Sequence, residues 1–350
     1  MLRGVAVILV ILRHLEPFPP GAPAALEAVR DAGWLGVDLF FVLSGFLVGG
    51  LILDEVARTG GFAWGRFLVR RGLKIYPGFY LHIAVALAWI GAHEPLQPRR
   101  VVAEALFVQN YLRGYLSHTW SLAVEEHAYL LLVGLTVLAL RLGGAAAVAG
   151  VALLWVPCAA LGLLGRLQLA RLFDPHVAVH VIPTHLRLEG IAAGVVLAFL
   201  HLHHRDALRS FVERRRLALA LLAAVLLTPI VALGLLDPLV VVLGLSLSPL
   251  AFAAVVLLAV HARPARGLAA RAGAALAWIG RRSYSIYLWH LVGIGAATRY
   301  LPALHWALAP LVCVVASVLL GALAAELVEL PTLRLRDRLF PSRAAPLAPS

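Results

Sequence analysis

Arg3 and His14 are eleven residues apart in an apolar run, about three helical turns, so on a helix both side chains project from one face with roughly 16 Å of rise between them. That spacing puts a guanidinium at one membrane surface and an imidazole deep in the opposite half. Asp38 lies about one turn below Trp34, which opens the second long apolar run, and reaches a depth similar to that of His14; a His–carboxylate pair becomes available. His118 to Glu126 brings Glu125 and Glu126 to a comparable level, and Arg187 and Glu189 arrive in the same way. Ionisable groups inside transmembrane segments are costly and by default mark function. The competing reading of this convergence is an interior ion-pair network that only fixes helix packing.

A second group has different chemistry. Arg66, Arg70, Arg71 and Lys74 lead into the third apolar run, and positions 66, 70 and 74 share one helical face. Guanidinium groups contact phosphate oxygens in bidentate fashion, so the cluster suits a polyphosphate ligand. Read on its own, it fits an ordinary positive-inside anchor equally well.

The elements that must position these groups are apolar helices. Hydrophobic residues make up 62% of the 350-residue chain and charged residues 14%, with a mean hydropathy of +0.91; a soluble fold of ordinary composition is about 45–50% apolar and 25% charged. Runs long enough to cross a bilayer lie near 3–16, 34–53, 73–92, 119–141, 144–165, 181–201, 215–236, 238–262, 283–301 and 304–328. The expectation is therefore an all-α polytopic membrane protein of about ten transmembrane helices. One membrane domain is expected over 1–333, followed by a short basic cytoplasmic tail, 334–350. The amphipathic segment 99–117 is expected as an interfacial or re-entrant piece. The first run carries Arg13 and His14 where a signal peptide would carry small residues, so it reads as a retained helix. It is short for a span, and a few residues are expected ahead of Met1.

About 21 basic residues fall between spans on the side of the N-terminus and about 8 on the other, which places both ends in the cytoplasm. The net charge of +12 then reflects anionic lipid and topology rather than nucleic acid. Cys158 and Cys313 sit in apolar segments with no partner at metal-ligand spacing, so neither a zinc site nor a disulfide framework is expected. His201, His203 and His204 adjoin Arg205 and read as a basic surface loop rather than a metal site.

Seven strings, in order along the chain, resemble the acyltransferase 3 family. They are Arg3-Gly4-Val5-Ala6 with His14; Gly36-Val37-Asp38-Leu39-Phe40-Phe41-Val42-Leu43-Ser44-Gly45; Arg70-Arg71-Gly72-Leu73-Lys74; Thr119-Trp120-Ser121-Leu122 through Glu125 to Tyr129; Arg187-Leu188-Glu189-Gly190; Ser283-Tyr284-Ser285-Ile286-Tyr287-Leu288-Trp289-His290; and Glu329-Leu330-Pro331. Lys74 stands where the family usually has a second arginine, which keeps the charge and loses the planar fork. His127 and Ala128 replace the more usual Gln and Phe. The soluble C-terminal domain that some members carry has no counterpart in this sequence.

The resemblance implies a bacterial inner-membrane enzyme that moves an acyl group, commonly acetyl, from cytoplasmic acyl-CoA to a hydroxyl of a carbohydrate, lipid-linked glycan or secondary metabolite. Acyl-CoA is then a co-substrate, no cofactor is permanently bound, and membrane lipids are the remaining partners. On this reading His14 is the general base, with Asp38 or Glu125 orienting its ring. Arg70, Arg71 and Lys74 hold the nucleotide phosphates, Arg3 lies at the same surface, Arg13 and Arg187 support acceptor or oxyanion, and Trp120 joins the substrate-binding set. Tyr284, Ser285 and His290 fit core packing better than chemistry. Ser44 lacks the Gly-x-Ser-x-Gly elbow of an acyl-serine enzyme. The alternative is a proton-coupled transporter or flippase in which His14, Asp38 and Glu125 relay protons; that reading leaves the Arg70–Lys74 cluster without a purpose.

Overall fold

The computed structural model describes all residues except 20, 173, 175, 264, 265, 302–304 and 342–350, and the described residues are α-helical with no β-strand. Among the described residues, seven helices are long and apolar enough to cross a membrane: Ala24–Thr59, Trp64–Gly91, Trp120–Gly144, Gly150–Ala170, Arg205–Leu233, Val240–Val260 and Ala309–Leu339. Shorter helices lie at the three other apolar runs, at Leu2–Arg13, Leu188–His203 and Ser283–Tyr300. The amphipathic segment folds as two short pieces, Pro98–Ala105 and Gln109–Leu112; neither approaches the length of a span. Of the expected tail, residues 334–339 continue the Leu330–Leu339 helix, and 342–350 lie outside the described residues.

The helices group into two compact units. The first comprises residues 1–37, 68–96 and 263–341. Leu2–Arg13 lies along a helix that hydropathy does not single out, Gly267–Arg281, because Gly4 meets the backbone of Leu276 and Gly280 with no room for a Cβ. Ser283–Tyr300 and the first part of Ala309–Leu339 approach in the same way, through Gly293 at Ser317 and Gly321 at Ile286. Without a hydrophobic drive between helices in lipid, small residues that admit close van der Waals contact are what hold such pairs together.

The second unit comprises residues 38–67 and 97–262. Its centre is the contact of Leu188–His203 with the stretch around Gly45 and Gly49, where Gly45 faces Ile191 and Gly194, and Gly49 faces Val195. Gly144 ends the Trp120–Gly144 helix with φ +65°, a left-handed conformation that glycine adopts without a Cβ penalty. Among the described residues, wide turns of the π type occur at Gly45–Gly49, Val177–Val181, Val240–Gly244 and Ala325–Glu329.

Candidate active site

His14 caps the C-terminus of the Leu2–Arg13 helix, and its Nδ1 lies 2.8 Å from the Val10 carbonyl oxygen. A carbonyl can only accept, so in the neutral ring Nδ1 carries the proton. His290 is fixed by the same logic: its Nδ1 is 2.6 Å from the Tyr287 carbonyl, which leaves Nε2 as an acceptor. That Nε2 lies 3.2 Å from His14 Nδ1, so the His14 N–H is shared between Val10 and His290. The lone pair on His14 Nε2 takes part in neither bond, which is the tautomer a proton-accepting imidazole requires. His14 is exposed, whereas His290 is wholly buried and its backbone carbonyl accepts from Ser317 Oγ at 3.0 Å. The supporting ring is thus held in the packed interior and the outer ring is open. Beside it, His82 sits against Trp289 with ring centroids 4.9 Å apart. Arg13 reaches Asp31 at 3.7 Å with both side chains substantially exposed.

At the other end of the same helix, Arg3 lines a cavity of about 420 Å³ together with Met1, Lys74, Ala277, Gly280, Arg281, Tyr284 and Glu329. This volume falls in the range of small-molecule sites, about 300–1,000 Å³. Arg3 Nε donates to Ser283 Oγ at 3.1 Å, Tyr284 OH to the Ile75 carbonyl at 2.6 Å, and Ser285 Oγ to Glu329 Oε2 at 2.6 Å. The walls carry three cations and one carboxylate. Of the expected phosphate cluster, Lys74 lines the cavity; Arg70 instead bonds the Phe340 carbonyl and pairs with Asp337 at 3.1 Å, and Arg71 is partly buried one residue further along. Arg281, counted from sequence only as a loop charge, is a member of the site that hydropathy hides.

The remaining expected residues belong to the second unit and form buried networks. Asp38 accepts from Arg187 through one carboxylate oxygen and from Ser248 through the other. The Arg187 guanidinium also lies over the rings of Phe41 and Trp120, 5.5 and 5.8 Å from their centroids, within cation–π range. Next to this pair, fully buried Arg166 bonds Glu189 at 2.8 Å and the Leu186 carbonyl at 2.5 Å. Glu125 accepts from Ser44 at 2.7 Å and from Tyr129 at 2.9 Å. The space lined by Asp38, Phe41, Arg187, Glu189 and their neighbours is a void of about 10 Å³, no more than one water requires.

In the short segment that precedes Trp120, wholly buried Glu104 accepts from the Leu116 N–H at 2.7 Å and from Thr119 Oγ1 at 2.9 Å. Burial pushes its carboxyl above the ordinary value, against the lowering effect of those bonds. Among the described residues, no three His, Cys, Asp or Glu side chains converge to hold a metal ion.

The model of an acyltransferase domain family, acyltransferase 3, matches residues 1–326. The chain is 28% identical to the peptidoglycan O-acetyltransferase OatA of Listeria monocytogenes over 317 residues, covering 83% of this chain and 48% of that protein. It is likewise 28% identical to the O-acetyltransferase OatA of Staphylococcus aureus over 321 residues, covering 83% of this chain and 49% of that protein. The chain therefore spans about half the length of these curated relatives. No solved structure matches it.

Proposed function

The chain belongs to the acyltransferase 3 family, and from that premise we propose that it is a multi-pass inner-membrane O-acyltransferase that moves an acetyl group from acyl-CoA to a hydroxyl of a glycan such as peptidoglycan. The observation that carries the reading is the His14–His290 pair, in which two carbonyl acceptors leave the exposed His14 ring with Nδ1 protonated and Nε2 ready to accept. His14 Nε2 takes the proton of the acceptor hydroxyl as its oxygen attacks the thioester carbonyl carbon. The new C–O bond forms, the C–S bond breaks, and the sulfur leaves with the proton returned from His14. His290 is a positioning residue: it holds the His14 tautomer and does not touch substrate.

The cationic cavity of Arg3, Lys74 and Arg281 suits the phosphates of acyl-CoA at the cytoplasmic surface, with Arg70 and Arg71 supporting that wall. The rise of the Leu2–Arg13 helix, roughly 16 Å, is a distance the pantetheine arm can bridge. Arg13 lies next to the base in the chain. Ten spans with both termini in the cytoplasm complete the proposal, motivated by the basic bias between spans. Family membership does not favour a proton-coupled transporter.

The test uses purified protein with acetyl-CoA and a soluble glycan. His14→Gln preserves volume and hydrogen bonding but cannot accept the proton, and should lower turnover by about 10²–10⁴ while acetyl-CoA still binds. Near-normal turnover in the Gln variant would remove the base from this mechanism.

A further inference from the structure

Two exposed rings in the second unit have no part in the chemistry above. Tyr111, on the short Gln109–Leu112 helix, is 50% exposed, and His185 is exposed beside it. Their planes are 11° apart with centroids at 6.0 Å. The Tyr111 hydroxyl accepts from the His185 backbone N–H at 3.4 Å and lies 3.0 Å from His185 Nδ1, so both of these polar contacts are with His185. The polar tip of the tyrosine is thereby occupied by its neighbour, and the rest of the exposed ring is apolar carbon.

The surrounding side chains are hydrogen-bonded to one another. His127 Nδ1 lies 2.7 Å from Thr184 Oγ1, and Thr184 Oγ1 accepts from Asn110 Nδ2 at 2.7 Å. Asn110 Nδ2 also donates to the Ile182 carbonyl at 3.3 Å, which fixes the amide orientation and leaves Asn110 Oδ1 buried with no hydrogen-bond partner among the described residues. Phe107 and Arg113, the residues on either side of this short helix, both adopt φ above +50°, a left-handed conformation uncommon for non-glycine residues and concentrated at functional sites.

We infer that Tyr111 and His185 form a stacking platform for a pyranose ring of the acceptor glycan, an inference that rests on the O-acyltransferase reading. The C–H face of a pyranose packs on aromatic faces, and its hydroxyl and amide N–H groups are donors of the kind Asn110 Oδ1 lacks. An acyl chain supplies no donor, and an interfacial tyrosine serving a lipid belt keeps its hydroxyl for the headgroup layer; here that hydroxyl is turned to His185.

The experiment is saturation-transfer NMR on the full chain in a micelle without sugar headgroups, with tetra-N-acetylchitotetraose as the probe. In the wild type, saturation should reach the sugar C–H protons. Tyr111→Ala should weaken probe binding about tenfold, the change that corresponds to ~1.4 kcal/mol, with the melting temperature and acetyl-CoA affinity unchanged. Tyr111→Phe, which keeps the face, should stay within about threefold. No saturation of the probe by the wild type, undiminished binding by Tyr111→Ala, or a Tyr111-dependent signal only on lipid acyl chains overturns the site. Acetyl transfer is assayed separately: Tyr111-dependent probe binding without any transfer would sink the enzyme reading and leave the platform standing.

Discussion

Two regions of this molecule gather ionisable side chains, and they do so in opposite ways. Around Asp38 and Glu189, each carboxylate is matched to a guanidinium, and the space left over is about 10 Å³. Around Lys74, three cations and one carboxylate face a cavity of about 420 Å³. The first arrangement is neutral and filled, so it specifies helix packing and orients the side chains built into it. The second has volume and an excess of positive charge, and so has the properties of a receptor for an anion. A cluster of charge by itself therefore does not distinguish scaffold from site; balance and empty volume do.

The comparison breaks most sharply at Arg166. Removing one partner of a buried pair strands the other charge, so Arg166→Leu should destabilise the protein by about 3–5 kcal/mol, whereas Arg166→Leu with Glu189→Leu should recover most of that loss. Thermal unfolding in detergent measures both; a single variant as stable as the wild type would show that the network is not structural. The cavity makes a different prediction. Lys74→Ala or Arg3→Ala should leave stability nearly unchanged and weaken acetyl-CoA binding by about 1.5–3 kcal/mol, the worth of a hydrogen bond to a charged group. Equal affinity in titration calorimetry would return these residues to the role of lipid anchors. The smallest effect is expected at Glu329, the one like-charged neighbour of an incoming phosphate. Glu329→Gln retains an acceptor for Ser285 and should tighten acetyl-CoA by about 0.5–1 kcal/mol; weaker binding would mean that the carboxylate itself contacts the ligand.

Hydropathy was enough to place the helices, because apolar runs of sufficient length have few alternatives in a membrane. It passed over Gly267–Arg281, whose Arg271 and Arg281 made it look like a loop and whose packing depends on Gly4 and Gly280 rather than on apolar bulk. Spacing alone brought out His14, Arg3 and Asp38, since an imidazole or a carboxylate in an apolar run is conspicuous. The partner of His14 was not legible in the same way: His290 is 276 residues away and resembles any histidine in a packed helix. Arg70 illustrates the opposite failure. Its helical register with Lys74 suggested a shared ligand, but the Asp337 contact comes from the C-terminal helix, and no local pattern announces it. The Glu104 anchor was similarly hidden, because a lone glutamate in an amphipathic segment looks like a solvated charge until its burial is seen.

The wide turn at Ala325–Glu329 has a consequence for how the chain tolerates change in length. A π turn holds one residue more than an α turn while making nearly the same rotation, so it stores an extra residue in a helix that otherwise advances 100° per residue. Deleting a single residue there would restore an unbroken α-helix, and nothing downstream would need to unfold. The side chains from Leu330 onward would keep their bearing toward Ser317 and Gly321, and Asp337 would stay beside Arg70. The change would be confined to the turn itself, where Glu329 accepts from Ser285. The wide turn is thus a place where the chain can lose a residue without losing its registration.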